Sequence, residues 1–312
     1  MKFTHQLAIY FDDPTEWGYP FDVPEYIETY ATFCQLLRDH GIRPYLVRGA
    51  ERYLGQMQFQ SGWELLSDQT LQPVTEPFMV DLIYRKGHNL KTEPTAAIVN
   101  HQAIETVCHD KLVTYQQFAD FMAPCFPINQ ANWSEQIQKI KTDKIVVKPV
   151  FGTEGRGIIV TNKNNFEYTQ LDSAYEPYLI QKFIDTSNGI PDIVNGLHDL
   201  RLYMFNGVVK MAEIRQPKPG GYLANIAQGG SLFQLPLVQV PASAIAFVEK
   251  IDQHFSQYTP RIYTIDLMYQ GDQPYLVELN SQPGLPYREW EKFDHYYTKL
   301  HRFLSETLIG GL

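Results

Sequence analysis

The chain has 312 residues, 44% of them hydrophobic and 20% charged, a make-up that supports a sizeable core and excludes a disordered chain. Its net charge of −9 argues against a general binder of nucleic acid or of an anionic membrane surface, although a local basic pocket for phosphate stays open. Cys34, Cys108 and Cys125 lack metal-ligand spacing and are odd in number, so a full disulfide framework is impossible and reduced thiols in the cytoplasm are expected.

In chain order, Leu7–Phe11 reads as a buried first strand and not a signal peptide, because its short apolar run meets Asp12-Asp13. A turn-rich stretch leads to Pro24. Tyr26, Tyr30, Phe33, Leu36 and Leu37 then share one face of a helix that Gly41 ends. Arg43–Arg48 is a second strand, and strand–helix–strand favours a parallel sheet with a right-handed crossover. Tyr53–Leu66 is expected to be a hairpin around Ser61-Gly62, Val80–Tyr84 a strand, Ile98–Asn100 a short strand, and Gln102–His109 a helix. These elements form one small α/β domain, residues 1–110.

From Lys111 the pattern changes. Thr114–Met122 is helical until Pro124 and Pro127 break it, Trp133–Lys141 is a short helix, and Lys144–Val150 is a strand. The loop Gly152-Thr153-Glu154-Gly155-Arg156-Gly157 leads into the strand Ile158–Thr161, and Tyr178–Ile184 is another strand. The segment Asp185–Gly196, rich in turn formers, is a plausible boundary. Strands at Leu200–Asn206, Val208–Arg215, Thr264–Tyr269 and Tyr275–Leu279 follow, with a helix at Ala242–Gln257 between the pairs. No run approaches the roughly 18 apolar residues of a membrane span.

Three groups of residues carry chemistry. A turn at Gln270–Pro274 centred on Asp272 sets Asp266 opposite Glu278, and the two-residue strand period puts Asn280 on the same face as Glu278. Two carboxylates facing each other about 5 Å apart repel, and a cation between them removes that cost. Few, all-oxygen ligands suit Mg²⁺. A solvated hairpin face is the alternative. Second, Lys148 lies in an apolar strand, where a lysine needs a partner. Third, the glycines at 152, 155 and 157 let backbone N–H groups approach an anion. Their spacing is neither GxGxxG nor the Walker pattern, and the loop joins two strands, as a flap over a nucleotide or an ordinary hairpin loop would.

The order Lys111, Lys148-Pro149 with its Gly-rich loop, Gln181-Lys182-Phe183-Ile184, Asp199-Leu200-Arg201, Arg215, Asn225–Gly230, then Asp266, Glu278 and Asn280 resembles the ATP-grasp superfamily over roughly residues 95 to 287. Within it the chain is most similar to the group of bacterial glutathione synthetases and RimK-type glutamate ligases. Glu278–Leu285 is similar to the C-terminal metal motif of the latter, and Arg215–Gly230 to the substrate and phosphate loop of both. The resemblance implies a mixed α/β ATP-grasp fold preceded by a small Rossmann-like domain. Residues 111–190 would form the lid subdomain with the flap, and residues 191–312 the subdomain with the metal site.

The resemblance also implies roles. Lys111 and Lys148 contact ATP phosphates. The flap of Gly152, Thr153, Glu154, Gly155, Arg156 and Gly157 closes over them. Gln181, Lys182, Phe183 and Ile184 read adenine, chiefly through the backbone of Lys182 and Ile184. Asp199 meets the ribose, and Arg201 and Arg215 hold the transferring phosphoryl group. Asn225 assists there, and Asp266, Glu278 and Asn280 bind two Mg²⁺, with Mn²⁺ able to replace them. The implied reaction phosphorylates a carboxylate with ATP and passes the acyl group to an amine, with release of ADP and phosphate. Arg201 and backbone N–H groups near Gly229-Gly230 are candidates to hold the oxyanion.

The partners are a small-molecule carboxylate and amine, with no nucleic acid and no membrane; a homodimer is a family-level expectation. A nucleotide-binding module without catalysis and a phosphotransferase acting on a hydroxyl are the alternatives. Phe183 and Ile184 also fit a strand core, and Asp199 with Arg201 also fits an ordinary salt bridge. Ser187–Leu197 is longer than expected after the hinge, and Lys218–Tyr222 sits where relatives place a substrate-facing loop. Such segments choose substrates, so the acid and the amine stay open.

Overall fold

In the computed structural model, which describes residues 3–93, 95–287 and 293–310, the first strand, β1 (His5–Phe11), is buried on both faces. It pairs in parallel with β2 (Ile42–Arg48), which explains its unbroken apolar run. Helix α1 (Pro24–Asp39) links them. Pro24 sits at its start, where a missing N–H costs nothing, and Gly41 takes φ +79° just past its end.

The expected hairpin over 53–66 is two structures instead. β3 (Tyr53–Gly55) and β4 (Gln58–Phe59) turn at Gln56-Met57, both with positive φ, whereas β5 (Gly62–Leu65) joins the main sheet. β6 (Leu71–Val74) extends that sheet, β7 (Phe78–Met79) joins the small one, and β8 (Leu82–Arg85) and β9 (Ile98–Val99) complete the parallel part. The six-stranded order is β6-β5-β2-β1-β8-β9. This is one compact unit, residues 1–101 together with 257–262 and 282–312; it includes the helix Phe293–Gly310, which packs on α1.

The second unit comprises residues 102–256 and 263–281. It opens with α2 (Gln102–His109) and α3 (Lys111–Phe118), whose N-cap Asp110 accepts hydrogen bonds from the N–H groups of Leu112 and Val113. A four-stranded antiparallel sheet follows, built from β10 (Cys125–Ile128), β11 (Lys144–Pro149), β12 (Ile159–Asn162) and β13 (Tyr178–Lys182) in the order β10-β13-β11-β12. The short helix α4 (Trp133–Lys139) covers it, and Ile145, Val147, Tyr178 and Ile180 form its core with Ile137 and Phe166.

A five-stranded sheet completes this unit. It consists of β14 (Asp199–Phe205), β15 (Val208–Gln216), β16 (Ser231–Leu235), β17 (Ile262–Gln270) and β18 (Gln273–Asn280), ordered β16-β15-β14-β17-β18, with α5 (Ala242–Asp252) between β16 and β17 in sequence. Among the described residues no helix is long and apolar enough to cross a membrane.

Candidate active site

Alternation along β11 places the first cationic group. Ile145 and Val147 point into the sheet's core, so Val146 and Lys148 point the other way, into a cavity of ≈ 1070 Å³ counting its open mouth. Burial pushes the Lys148 ammonium down from its usual range, and Lys111 adds to the effect while Cys125 and Glu278 oppose it. Its Nζ lies 3.5 Å from the Val277 carbonyl. Lys111, first residue of α3, has its backbone N–H on the Val150 carbonyl, its Nζ on the Gly152 carbonyl at 2.7 Å, and an ion pair to Glu278 at 3.1 Å. The two lysines are thus brought together at the start of the Gly-rich loop.

That loop connects β11 to β12, an antiparallel pair. Glu154, Gly155 and Gly157 have φ of 62°, 74° and 71°, a left-handed path that favours glycine at the last two. A Cβ on Gly155 would lie 2.8 Å from Asn225 Oδ1. Glu154 pairs with Arg156 at 2.5 Å, and the Glu154 carbonyl accepts from Gln228 Nε2 at 3.1 Å. Thr153 and Gly152 line the cavity as well.

At the far end lie Gln181, Lys182, Phe183 and Ile184. The Lys182 N–H is committed to the Pro124 carbonyl at 2.9 Å, so it is not the group that this residue would offer a ligand. The Ile184 N–H takes no backbone partner among the described residues.

The floor is the five-stranded sheet. Asp266 lies directly opposite Glu278 and Thr264 opposite Asn280, as expected, but the route differs. The turn is the two-residue Gly271-Asp272, with Gly271 at φ +59°, which sets Leu267 opposite Leu276. A bulge at Val277 then restores the carboxylate pairing and adds Val277 to the cavity wall.

Asp266 is 3% exposed and held by two guanidinium groups. Arg201 donates from Nε and Nη2 at 2.7 and 2.8 Å, and Arg215 from Nη2 at 2.6 Å. Arg215 also grips Asp199 through Nε and Nη2 at 2.7 and 2.9 Å. Both oxygens of Asp199 are therefore engaged with Arg215, an arrangement the resemblance did not foresee. These bonds use Nε and Nη2 of each arginine and leave Nη1; Arg215 lines the cavity and can offer it to a ligand there, whereas Arg201 lies outside the lining. Burial works to raise the Asp266 carboxyl, but Arg201 and Arg215 together outweigh it and hold it at about 2. Burial dominates at Asp199, which is pushed up to about 6 although Arg215 pulls the other way.

Among the described residues no three His, Cys, Asp or Glu side chains gather as a metal cage. Asp266, Glu278 and Asn280 are instead two carboxylates and one amide. This sparse, hard-oxygen set fits Mg²⁺, which keeps waters and takes phosphate oxygens as further ligands. Each carboxylate oxygen has two acceptor sites, so the arginine bonds do not exhaust Asp266.

Three residues make contacts that no local pattern gives: His198 and Tyr222 line the cavity, and Gln228 holds the flap. His198 is buried with Nδ1 on the Gly196 carbonyl, and burial lowers its pKa, so it is neutral. Tyr222 meets Lys144 and Phe183 across a gap in sequence that no local pattern spans. Gln228 reaches the flap backbone from a turn that composition does not single out.

A model of the RimK-like ATP-grasp domain matches residues 123–294. The chain is 28% identical over 145 residues to a probable α-L-glutamate ligase of Legionella pneumophila, a match covering 45% of this chain and 43% of that protein. The chain thus spans less than half the length of this curated relative. Among solved structures, the VanG D-Ala:D-Ser ligase of Enterococcus faecalis superposes with a TM-score of 0.63 at 12% identity, covering 98% of both chains. A RimK domain ATP-grasp protein of Sphaerobacter thermophilus gives 0.60 at 12% identity, covering 98% of this chain and 100% of the other. At such identities the likeness shows the fold: an ATP-grasp fold with its preceding α/β domain.

Proposed function

The chain belongs to the family of RimK-like ATP-grasp domains, and from that premise we propose that it is an ADP-forming ligase that activates a carboxylate with ATP and joins it to an amine, or a thiol, of an amino acid or peptide. Membership in the family implies use of ATP, typically with Mg²⁺. The observation that carries the reading is one cavity lined by Lys111, Lys148, Gly152 and Gly155 of the flap, Arg215, Asp266 and Glu278. We read residues 111–190 as the lid, and the part of the second unit that begins at 191 as the metal-binding half.

In this reading Lys111 and Lys148 bind the phosphates and the flap covers them. The Ile184 N–H and the backbone beside it read the base. Asp199 acts by holding Arg215 in place, with any ribose contact secondary to that. Asp266, Glu278 and Asn280 hold two Mg²⁺, or Mn²⁺ in their place. The metal, when bound, neutralises phosphate charge and so favours phosphoryl transfer. The acid's carboxylate oxygen attacks the γ-phosphorus and ADP leaves. The amine then attacks the acyl phosphate carbon, phosphate departs, and the amine loses a proton. Arg215 through Nη1, with Arg201 and the cavity-lining Asn225, stabilises charge on the phosphoryl oxygens. The Gly229 and Gly230 N–H groups, expected to meet the oxyanion, are instead spent on the Ile226 and Asn225 carbonyls. No nucleophilic Ser or Cys takes part.

The substrates are small molecules, the compartment is the cytoplasm, and a homodimer completes the proposal. Incubation with Mg-ATP and pooled amino acids and dipeptides tests it. Mass spectrometry should find a condensation product whose amount equals the ADP released; ADP binding with no condensation from any acid and amine pair would count against a ligase.

A further inference from the structure

The segment Pro217–Gly230 is fastened at two points on the cavity rim. At one, Gln228 Nε2 donates to the Glu154 carbonyl of the flap at 3.1 Å, and Asn225 fills the space where Gly155 lacks a Cβ. At the other, the Tyr222 ring meets Phe183 edge to face, with centroids 5.6 Å apart and planes at 86°. Lys144 Nζ sits over both rings, 5.0 Å from the Phe183 centroid and 4.5 Å from that of Tyr222, and donates to the Tyr222 hydroxyl at 2.9 Å. Phe183 and Tyr222 both line the cavity. The first point lies within a tight turn over 225–230. The N–H groups of Gly229 and Gly230 bond to the Ile226 and Asn225 carbonyls, and a Cβ on Gly230 would strike the Ala224 carbonyl oxygen at 2.4 Å.

Only Leu223 and Ala224 separate Tyr222 from this turn, so the two anchors move as one piece. We infer that Tyr222 is a positioning residue that latches this segment to the base-reading end of the cavity, so that nucleotide occupancy and closure of the substrate-facing segment are one coupled event. The Tyr222 ring is 41% exposed, and its partners are an aromatic edge and an ammonium. Both interactions strengthen when a flat ligand beside Phe183 excludes water from the cluster. By linkage, a ligand that tightens the latch is itself held more tightly by it. The inference rests on the nucleotide reading proposed above.

The test uses the full chain and Mg-ADP. Titration calorimetry gives the affinity, and amide exchange across residues 218–230 reports closure. In the unaltered protein Mg-ADP should slow exchange there several-fold. Tyr222→Ala should abolish that slowing and weaken Mg-ADP about ten-fold, with exchange in β14, β17 and β18 unchanged; a generally loosened fold would raise exchange in those strands too. Tyr222→Phe keeps the ring and loses the Lys144 bond, so its loss should be smaller, and on a Lys144→Met background it should add nothing. Absence of any Mg-ADP binding by the unaltered protein overturns the nucleotide reading and the latch with it. Mg-ADP binding whose strength and loop protection are indifferent to Tyr222→Ala overturns the latch alone.

Discussion

The floor and the roof of the cavity are built on opposite principles. On the floor, Asp199, Arg215, Asp266 and Arg201 are buried or nearly so and joined by a chain of charge-assisted bonds between 2.6 and 2.9 Å. On the roof, the flap has glycines at left-handed φ, nothing within 4 Å of the space beside Gly152, and an exposed Phe151. A network of paired buried charges fixes direction, because any displaced member leaves a charge unpaired. A glycine loop with few neighbours can open and close at little cost. One wall is thus built to hold its charges in place and the other to move.

The contrast can be broken from the floor first. Arg215→Met leaves Asp199 and Asp266 facing each other without their shared cation, and denaturant unfolding should show a loss of about 3–5 kcal/mol. A loss under 1 kcal/mol would mean the network is not a structural keystone. Glu278→Gln acts on chemistry instead. Glu278 is only half-buried, so unfolding should change little, while turnover should fall about a hundred-fold or more through loss of a metal charge. Activity near that of the unaltered protein would remove Glu278 from the site. On the roof, Gly155→Ala meets a left-handed φ and Asn225, and should cost about 1 kcal/mol, well below the floor's penalty.

The smallest effect is on pH dependence. Asp199 is raised to about 6 in the fold from its unfolded value of 3.8, so its contribution is full below the lower value and lost as pH rises through the upper. Asp266 is held at about 2 in the fold, so its contribution is present above its unfolded value of 3.8 and lost as pH falls toward 2. Between about pH 4 and 6 only Asp199 of the two titrates in the fold, and acidification there should stabilise the protein. Melting curves of Asp199→Asn across that range should lack this component; an identical slope in both proteins would refute the assignment.

Much of this was legible in the residues. Lys148, the Gly-rich loop and the Asp266–Glu278 pair are local patterns, and a hairpin register needs only its turn. The bulge at Val277 was not legible, because it cancels the one-residue difference between the assumed turn and the Gly271-Asp272 turn. β10 was missed because Pro127 reads as a breaker; it is tolerated there because β10 is a sheet edge. β16 was missed because its mostly exposed Ser231–Leu235 pattern hides an edge strand. The bond of Asp199 to Arg215 links adjacent strands paired at that register, but the choice of that partner over Arg201, two residues away, is made by packing.

The proposed reaction turns on an acyl phosphate made in this cavity. The most direct measurement is trapping with hydroxylamine during incubation with Mg-ATP and pooled carboxylates. A hydroxamate should form in step with ADP, and both products should fall about a hundred-fold or more with Glu278→Gln. ADP released without hydroxamate, or AMP in its place, would contradict it.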